Sequence, residues 1–318
     1  MVYLESFQFP SYEKENSFLI DYYYYKGTYK QEQFEHLRIG GNYPFGVLSV
    51  NRLESLDFEP VTILYGGNGS GKSTALNVIA EKLKIKRNAD YNRTVMTDRY
   101  VAMCQYRINT ECKDEFPPEG LQSISKMITS DDVFKIILGT RDLNKRKLVK
   151  KELLWDDICA VKFGKIQRPR EINLQTEEGL DELNRYSNYK KKSFVNNLVE
   201  ELGTLHQEYS NGETGMSILA KEIEEDGLYL LDEPENSMSC AYQQSLARLI
   251  QLSASSCSSQ FIIATHAPFL LAIPGAKIYN LDANPVTISN WYELENMQKY
   301  YQLFDSYSTQ FKRAMSIS

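Results

Sequence analysis

Residues 66–74 read GGNGSGKST. So many glycines beside one lysine and two hydroxyls make a poor strand and a poor helix. They suit a phosphate. Backbone without Cβ can curl around an anion and aim several N–H groups at it. Gly66-x-x-x-x-Gly71-Lys72-Ser73 fits the phosphate-loop pattern in full, with Gly67, Asn68, Gly69 and Ser70 completing the cradle. In that pattern Lys72 bridges the β- and γ-phosphates of a nucleoside triphosphate. The Ser73 hydroxyl ligates Mg²⁺, and Thr74 sits near the α-phosphate.

A second cluster lies in LYLLDEPEN (228–236), where an apolar run ends in two adjacent carboxylates. Strand alternation sends neighbouring side chains to opposite faces. At a strand end the backbone turns, and both acids can face one nucleotide. Asp232 is then the residue to hold Mg²⁺, and Glu233 the general base that polarises an attacking water. One acid would suit binding alone, whereas the pair suits turnover.

These groups need elements to position them. VTILY (61–65) is a short apolar, β-branched run, as expected of a buried parallel strand. After the glycines, Leu76, Ile79, Ala80 and Leu83 repeat at helical spacing. The loop therefore joins a strand to a helix start. LYLL (228–231), FIIAT (261–265) and KIYNL (277–281) read as further strands, with Tyr242, Leu246, Leu249 and Ile250 marking a helix among them. Leu294, Met297, Tyr301 and Phe304 mark another near the end. Residues 1–65 look β-rich: FLIDYYYYKG (18–27) and GGNYPFGVLSV (40–50) both read as strands of an antiparallel layer. After PPEG (117–120) the character changes to charged runs and an amphipathic pattern at Phe194, Leu198, Leu202 and Leu205. The expected organisation is an N-terminal half at 1–111, a mainly helical insertion at 112–204 and a C-terminal half at 205–318, in an α/β fold.

Composition narrows the class. The chain has 318 residues, 42% hydrophobic and 25% charged, with net charge −6. That is ordinary for a soluble globular protein and argues against wholesale nonspecific nucleic-acid binding. The five cysteines are odd in number and show no CxxC spacing, so reduced thiols in the cytoplasm are expected. No apolar run is long enough to span a membrane, and the first residues lack a secretion pattern.

Two further motifs complete an order. YSNGE (209–213) precedes a helix, and THAPF (265–269) follows an apolar strand. Phosphate loop, S-x-G-x signature, Asp-Glu strand end and histidine, in this sequence, resemble the ABC-type ATPases. The resemblance covers roughly 45–75 and 205–285. It implies a P-loop NTPase head with ATP and Mg²⁺ sandwiched between two copies. Ser210, Asn211, Gly212 and Glu213 would act in trans on the partner's γ-phosphate, and His266 would contact the γ-phosphate in cis. A glutamine that senses Mg²⁺ is expected after the phosphate loop, and Gln105 is the candidate. Tyr43 and Phe45 are the candidates for an aromatic that stacks on adenine.

Glu213 and the DEPEN form resemble the soluble branch of SMC, RecF, OLD-like and AAA_21 ATPases. They are unlike transporters, which usually carry a glutamine at the signature's end and an S-A-L-D loop. That branch implies a homodimer, or a larger assembly, that couples ATP to DNA or to a partner effector such as a nuclease, in DNA repair or anti-phage defence. It resembles the ATPase subunits of Septu and retron modules. The chain's three histidines form no nuclease arrangement, so damaging chemistry would lie on another chain. The basic runs Lys145–Lys147 with Arg146, Lys150–Lys151 and Lys190–Lys192 could track nucleic acid or simply be a solvated face. The alternative is the nucleotide-binding subunit of a membrane transporter. A kinase or GTPase would leave the signature and histidine without a role.

Overall fold

A computed structural model describes residues 1–25, 42–89, 91–109, 120–135, 211–223 and 226–315, with backbone alone at 24–25 and 211–214. The chain divides into two compact units, 1–133 with 211–318, and 134–210. Nearly all of the second lies outside the described residues, as do the basic runs at 144–151 and 189–192 and the pattern at 194–205.

The first unit is built on a six-stranded sheet. In chain order its strands are β3 (Val61–Tyr65), β5 (Ser125–Thr129), β6 (Leu228–Asp232), β7 (Gln260–Ala264), β8 (Lys277–Asn280) and β9 (Thr287–Ile288). The spatial order is β5-β6-β7-β3-β8-β9. All neighbours are parallel except the β8–β9 pair. Every residue of β3 and β7 is buried, which is why VTILY and QFIIA are mostly apolar and show no alternation. The pattern SKMIT of β5, with a lysine inside it, does not announce a strand from sequence.

A smaller antiparallel sheet, in the order β2-β1-β4, comprises β1 (Leu4–Gln8), β2 (Ser55–Asp57) and β4 (Gln105–Ile108). Two buried side chains tie it to the large sheet. Gln260 Oε1 accepts from the backbone N–H groups of Tyr3 and Leu4, both at 2.9 Å, and its Nε2 donates to the Leu4 carbonyl at 2.9 Å. The Tyr279 hydroxyl accepts from Asp57 N–H at 2.9 Å and faces the Asp57 carbonyl at 3.0 Å. Replacing Gln260 with leucine removes every one of its side-chain hydrogen bonds at a fully buried position. A buried unpaired polar group costs about 1–3 kcal/mol. Gln260→Leu is therefore expected to lose about 3 kcal/mol of stability, read from the midpoint of urea unfolding.

The helices are α1 (Tyr12–Tyr25), α2 (Lys72–Leu83), α3 (Thr97–Met103), α4 (Asn211–Glu222), α5 (Cys240–Ser256), α6 (Pro268–Leu271), α7 (Glu295–Ser306) and α8 (Ser308–Met315). In α2, Leu76, Ile79, Ala80 and Leu83 are all buried, as their spacing predicts. In α5 the inward positions are Leu246, Ile250 and Ser253.

Two expected strands are absent. Residues 18–25 belong to α1, not to a strand. The tyrosines favour β structure locally, but Glu15, Leu19 and Tyr22 fall along one side at helical spacing. Leu19 is buried, and Phe18 stacks on Phe45 with ring centroids 5.4 Å apart. Tertiary packing overrides propensity there. Residues 43–51 form turns and a short 3₁₀ helix, Ser49–Asn51. The buried Glu15 carboxylate holds them, accepting from Gly46 N–H and Ser49 Oγ, both at 2.8 Å. Near the C-terminus, α7 forms as its periodicity predicts, but burial is confined to Leu294 and Met297. Tyr301 and Phe304 are exposed.

Candidate nucleotide site

The glycine loop runs from the end of β3 to the start of α2, at the carboxyl edge of the parallel sheet. Gly71 takes φ +96°, and a Cβ there would come within 2.9 Å of the Leu48 side chain. At Gly66 a Cβ would collide with Ser70. Those two positions need glycine for conformation and for space respectively. α2 begins at Lys72 with no side-chain cap, so its first N–H groups and the positive end of its dipole face the loop. A glycine turn leading into an uncapped helix start is a geometry that suits an anion.

Lys72 is 5% exposed, with its ammonium held inside the loop by the carbonyls of Gly66 (2.7 Å) and Gly67 (3.0 Å). Glu233 Oε1 lies 3.8 Å from the same Nζ. Ser73 Oγ donates to Asp232 Oδ1 at 2.9 Å, joining the helix start to the end of β6. Thr74 is buried, and the Tyr43 hydroxyl reaches its Oγ1 at 3.3 Å.

The two carboxylates share a side because the chain leaves the strand sharply. Glu233 adopts φ +47°, a left-handed conformation uncommon outside glycine. Its N–H donates to the Ala264 carbonyl at 2.9 Å, and Asn236 Nδ2 donates to its Oε2 at 3.2 Å. His266 Nδ1 stands 3.7 Å from Glu233 Oε1, with half the imidazole exposed. The structure thus brings Lys72, Ser73, Asp232, Glu233 and His266 to one edge.

Burial, opposed by the Ser73 hydrogen bond and reinforced by the Glu233 charge, pushes the Asp232 carboxyl up to about 6. A buried carboxylate beside a second acid is costly as an anion. A divalent cation would offset that cost, and a hydroxyl with a carboxylate is a hard-oxygen set of the kind Mg²⁺ takes. Ser73 and Asp232 fit the ion.

Other expected residues stand elsewhere. Phe45 is 2% exposed and packs between Phe18 and Tyr100, so it cannot stack on a base. Tyr43 is half-buried beside Thr74. Gln105 is exposed at the start of β4, paired with Gln8, and takes no part in the contacts that hold Ser73 and Asp232. Asn211, Gly212 and Glu213 form the first turn of α4, and Ser210 lies outside the described residues.

One residue that braces the glycine loop escaped sequence reasoning. Asp282, just past β8, accepts the Gly67 N–H through Oδ1 (2.9 Å) and Oδ2 (3.0 Å), bracing the loop from the neighbouring strand. The only advance signal was its place at the strand's carboxyl end, and that gains meaning once β8 is known to lie beside β3.

Residues 214–272 match AAA_21, a family described as an AAA domain, putative AbiEii toxin, type IV TA system. The match spans β6, the two carboxylates, α5, β7 and His266. The fold is α/β around a central, mainly parallel sheet, with the strand, glycine loop and helix of a P-loop at its carboxyl edge. A comparison with curated proteins found no match. Among solved structures, the chain resembles an Smc head domain bound to the C-terminal domain of ScpA, derived from Pyrococcus furiosus. The identity is 13%, the coverage 95% of this chain and 100% of the other, and the TM-score 0.40. An SMC head domain from Thermotoga maritima is 12% identical over 91% and 98% of the two chains, TM-score 0.34. A nucleotide-free ATP-binding cassette of an ABC transporter is 16% identical over 78% and 90%, TM-score 0.34. Among the described residues, no helix is long and apolar enough to cross a membrane.

Proposed function

We propose that the chain hydrolyses ATP to ADP and phosphate in a site completed by a second copy, and passes the resulting change to a separate effector. The observation that carries this reading is the link from Ser73 Oγ to Asp232 Oδ1, with Glu233 directed at Lys72 and His266 beside it. The loop amides and Lys72 bind the triphosphate. Ser73 and Asp232 would hold Mg²⁺, which when bound neutralises phosphate charge. Glu233 takes a proton from the attacking water as its oxygen bonds to the γ-phosphorus. The bond from that phosphorus to the β-bridging oxygen breaks, and ADP leaves. His266 orients the water and the γ-phosphate.

The site is open on the side of His266, whose imidazole is half exposed. A second copy would close it with Ser210, Asn211, Gly212 and Glu213, where a hydroxyl and a helix start suit a γ-phosphate. Such a dimer contains its own ligand, so nucleotide stabilises it by mass action and its two sites are equivalent. The description of the matched family, which names a toxin–antitoxin system, favours an effector-coupled output in defence over transport. The effector would be a protein such as a nuclease, with nucleic acid as a further ligand, in the cytoplasm. The insertion and the basic runs are where that coupling is expected.

A mixing experiment tests the composite site. Lys72→Ala and Ser210→Arg proteins should each be inactive alone. Mixed in equal amounts, they form heterodimers with one site intact on both sides. Phosphate release should then return to about a quarter of the wild-type rate, because half of the dimers are mixed and each carries one of two sites. No recovery in the mixture would count against action in trans.

A further inference from the structure

The loop after β6 carries a third acid that this scheme leaves idle. Glu235 is 4% exposed. Its Oε1 accepts a hydrogen bond of 2.5 Å from Thr265 Oγ1. Thr265 is itself fully buried, and the same hydroxyl oxygen accepts the Ala267 N–H at 3.0 Å. That one hydroxyl is therefore tied to the carboxylate loop on one side and to the start of α6 on the other. His266 is the residue between Thr265 and Ala267.

The acid's own loop is equally fixed. Asn236 N–H donates to the Glu233 carbonyl at 3.2 Å, and Met238 N–H to the Glu235 carbonyl at 3.0 Å. Two cross-links thus join the segment bearing Glu233 to the one bearing His266. One is the backbone bond from Glu233 N–H to the Ala264 carbonyl, and the other is the Glu235–Thr265 bond. A buried carboxyl with a single side-chain partner is a costly way to fill space. Glu235 Oε2 has no partner among the described residues, and burial pushes this carboxyl above the usual carboxylate range. An apolar side chain would pack there at less cost but would leave Thr265 without its acceptor.

We infer that Glu235 is a positioning residue for hydrolysis: by gripping Thr265 it sets the separation between the Glu233 carboxylate and the His266 imidazole. The inference rests on the ATPase reading above. Its signature is specific. Lys72 and Ser73 are not tied through Glu235, so nucleotide affinity should survive its loss while the chemical step slows. Glutamine keeps an oxygen for Thr265 to donate to, whereas alanine does not. Thr265→Val removes the hydroxyl at nearly constant volume.

The test combines kcat, KM and amide exchange followed by mass spectrometry. Glu235→Ala and Thr265→Val should each lower kcat about tenfold or more, since small displacements of reacting groups are costly. KM should stay within about threefold, and exchange at 265–267 should quicken while α2 stays protected. Glu235→Gln should keep kcat within about threefold of wild type. The double variant Glu235→Ala/Thr265→Val should be no slower than the slower single, because both remove the same bond. Unchanged kcat in Glu235→Ala, with the wild type turning over, would overturn the inference alone. So would a loss in Glu235→Gln equal to that in Glu235→Ala, or a fall in kcat accompanied by loss of α2 protection. No turnover in the wild type would overturn the ATPase reading and the inference with it.

Discussion

Glu233→Gln protein will bind ATP at least as tightly as wild type and hydrolyse it about a hundred- to ten-thousandfold more slowly. The substitution is isosteric and keeps an oxygen to accept from Asn236. In the proposed scheme it removes the base that takes the water's proton and leaves the glycine loop untouched. It also removes a negative charge beside Asp232 and near Lys72, where Glu233 stands 3.8 Å from the ammonium. A polyanion therefore meets less repulsion in the variant. With hydrolysis blocked, the nucleotide-bound dimer should accumulate, and light scattering with ATP·Mg²⁺ should report twice the monomer mass. Wild-type hydrolysis by Glu233→Gln would remove Glu233 from the role of base.

Lys72→Ala protein will lose ATP binding by about a hundredfold or more. Hydrogen bonds between charged partners are worth about 1.5–3 kcal/mol each, and about 1.4 kcal/mol is a factor of ten in affinity. Lys72 supplies a buried ammonium already held inside the loop by the carbonyls of Gly66 and Gly67. The fold should survive, because those carbonyls lie at the edge of the site and α2 keeps its buried apolar face. Titration with a fluorescent ATP analogue, alongside a circular dichroism melt, separates lost binding from lost folding. Binding within about threefold of wild type would show that the lysine is structural.

The two variants should part because the proposed scheme gives their residues different jobs on one edge of one sheet. That edge was legible in the sequence wherever local pattern and tertiary role agree. VTILY must be a buried strand, and the glycines can follow it only as a turn. Leu76, Ile79, Ala80 and Leu83 must face a core. The Asp232–Glu233 pair announces itself by ending an apolar run. Where tertiary packing decides, the sequence misleads. The tyrosines at 22–25 are strand-formers by preference, yet they sit in a helix whose register is set by Glu15 and Leu19. Phe45 looks like a base-stacking ring and is core. Gln105 follows the phosphate loop in the chain, but it stands exposed at the start of β4 and makes no contact with the Ser73–Asp232 pair. Asp282, Gln260 and Glu235 were silent because each acts on a partner far away in sequence, or across a loop whose path is visible only when folded. Gln260 meets Leu4, Asp282 meets Gly67, and Glu235 meets Thr265.

The central claim is that this chain turns over ATP with Glu233 as base and Lys72 as the phosphate clamp. Steady-state phosphate release from ATP·Mg²⁺ by the purified wild-type, Glu233→Gln and Lys72→Ala proteins tests it most directly. The account predicts release by the wild type alone, with ATP retained on Glu233→Gln and not on Lys72→Ala. Equal release by all three, or none by the wild type at saturating ATP, would contradict it.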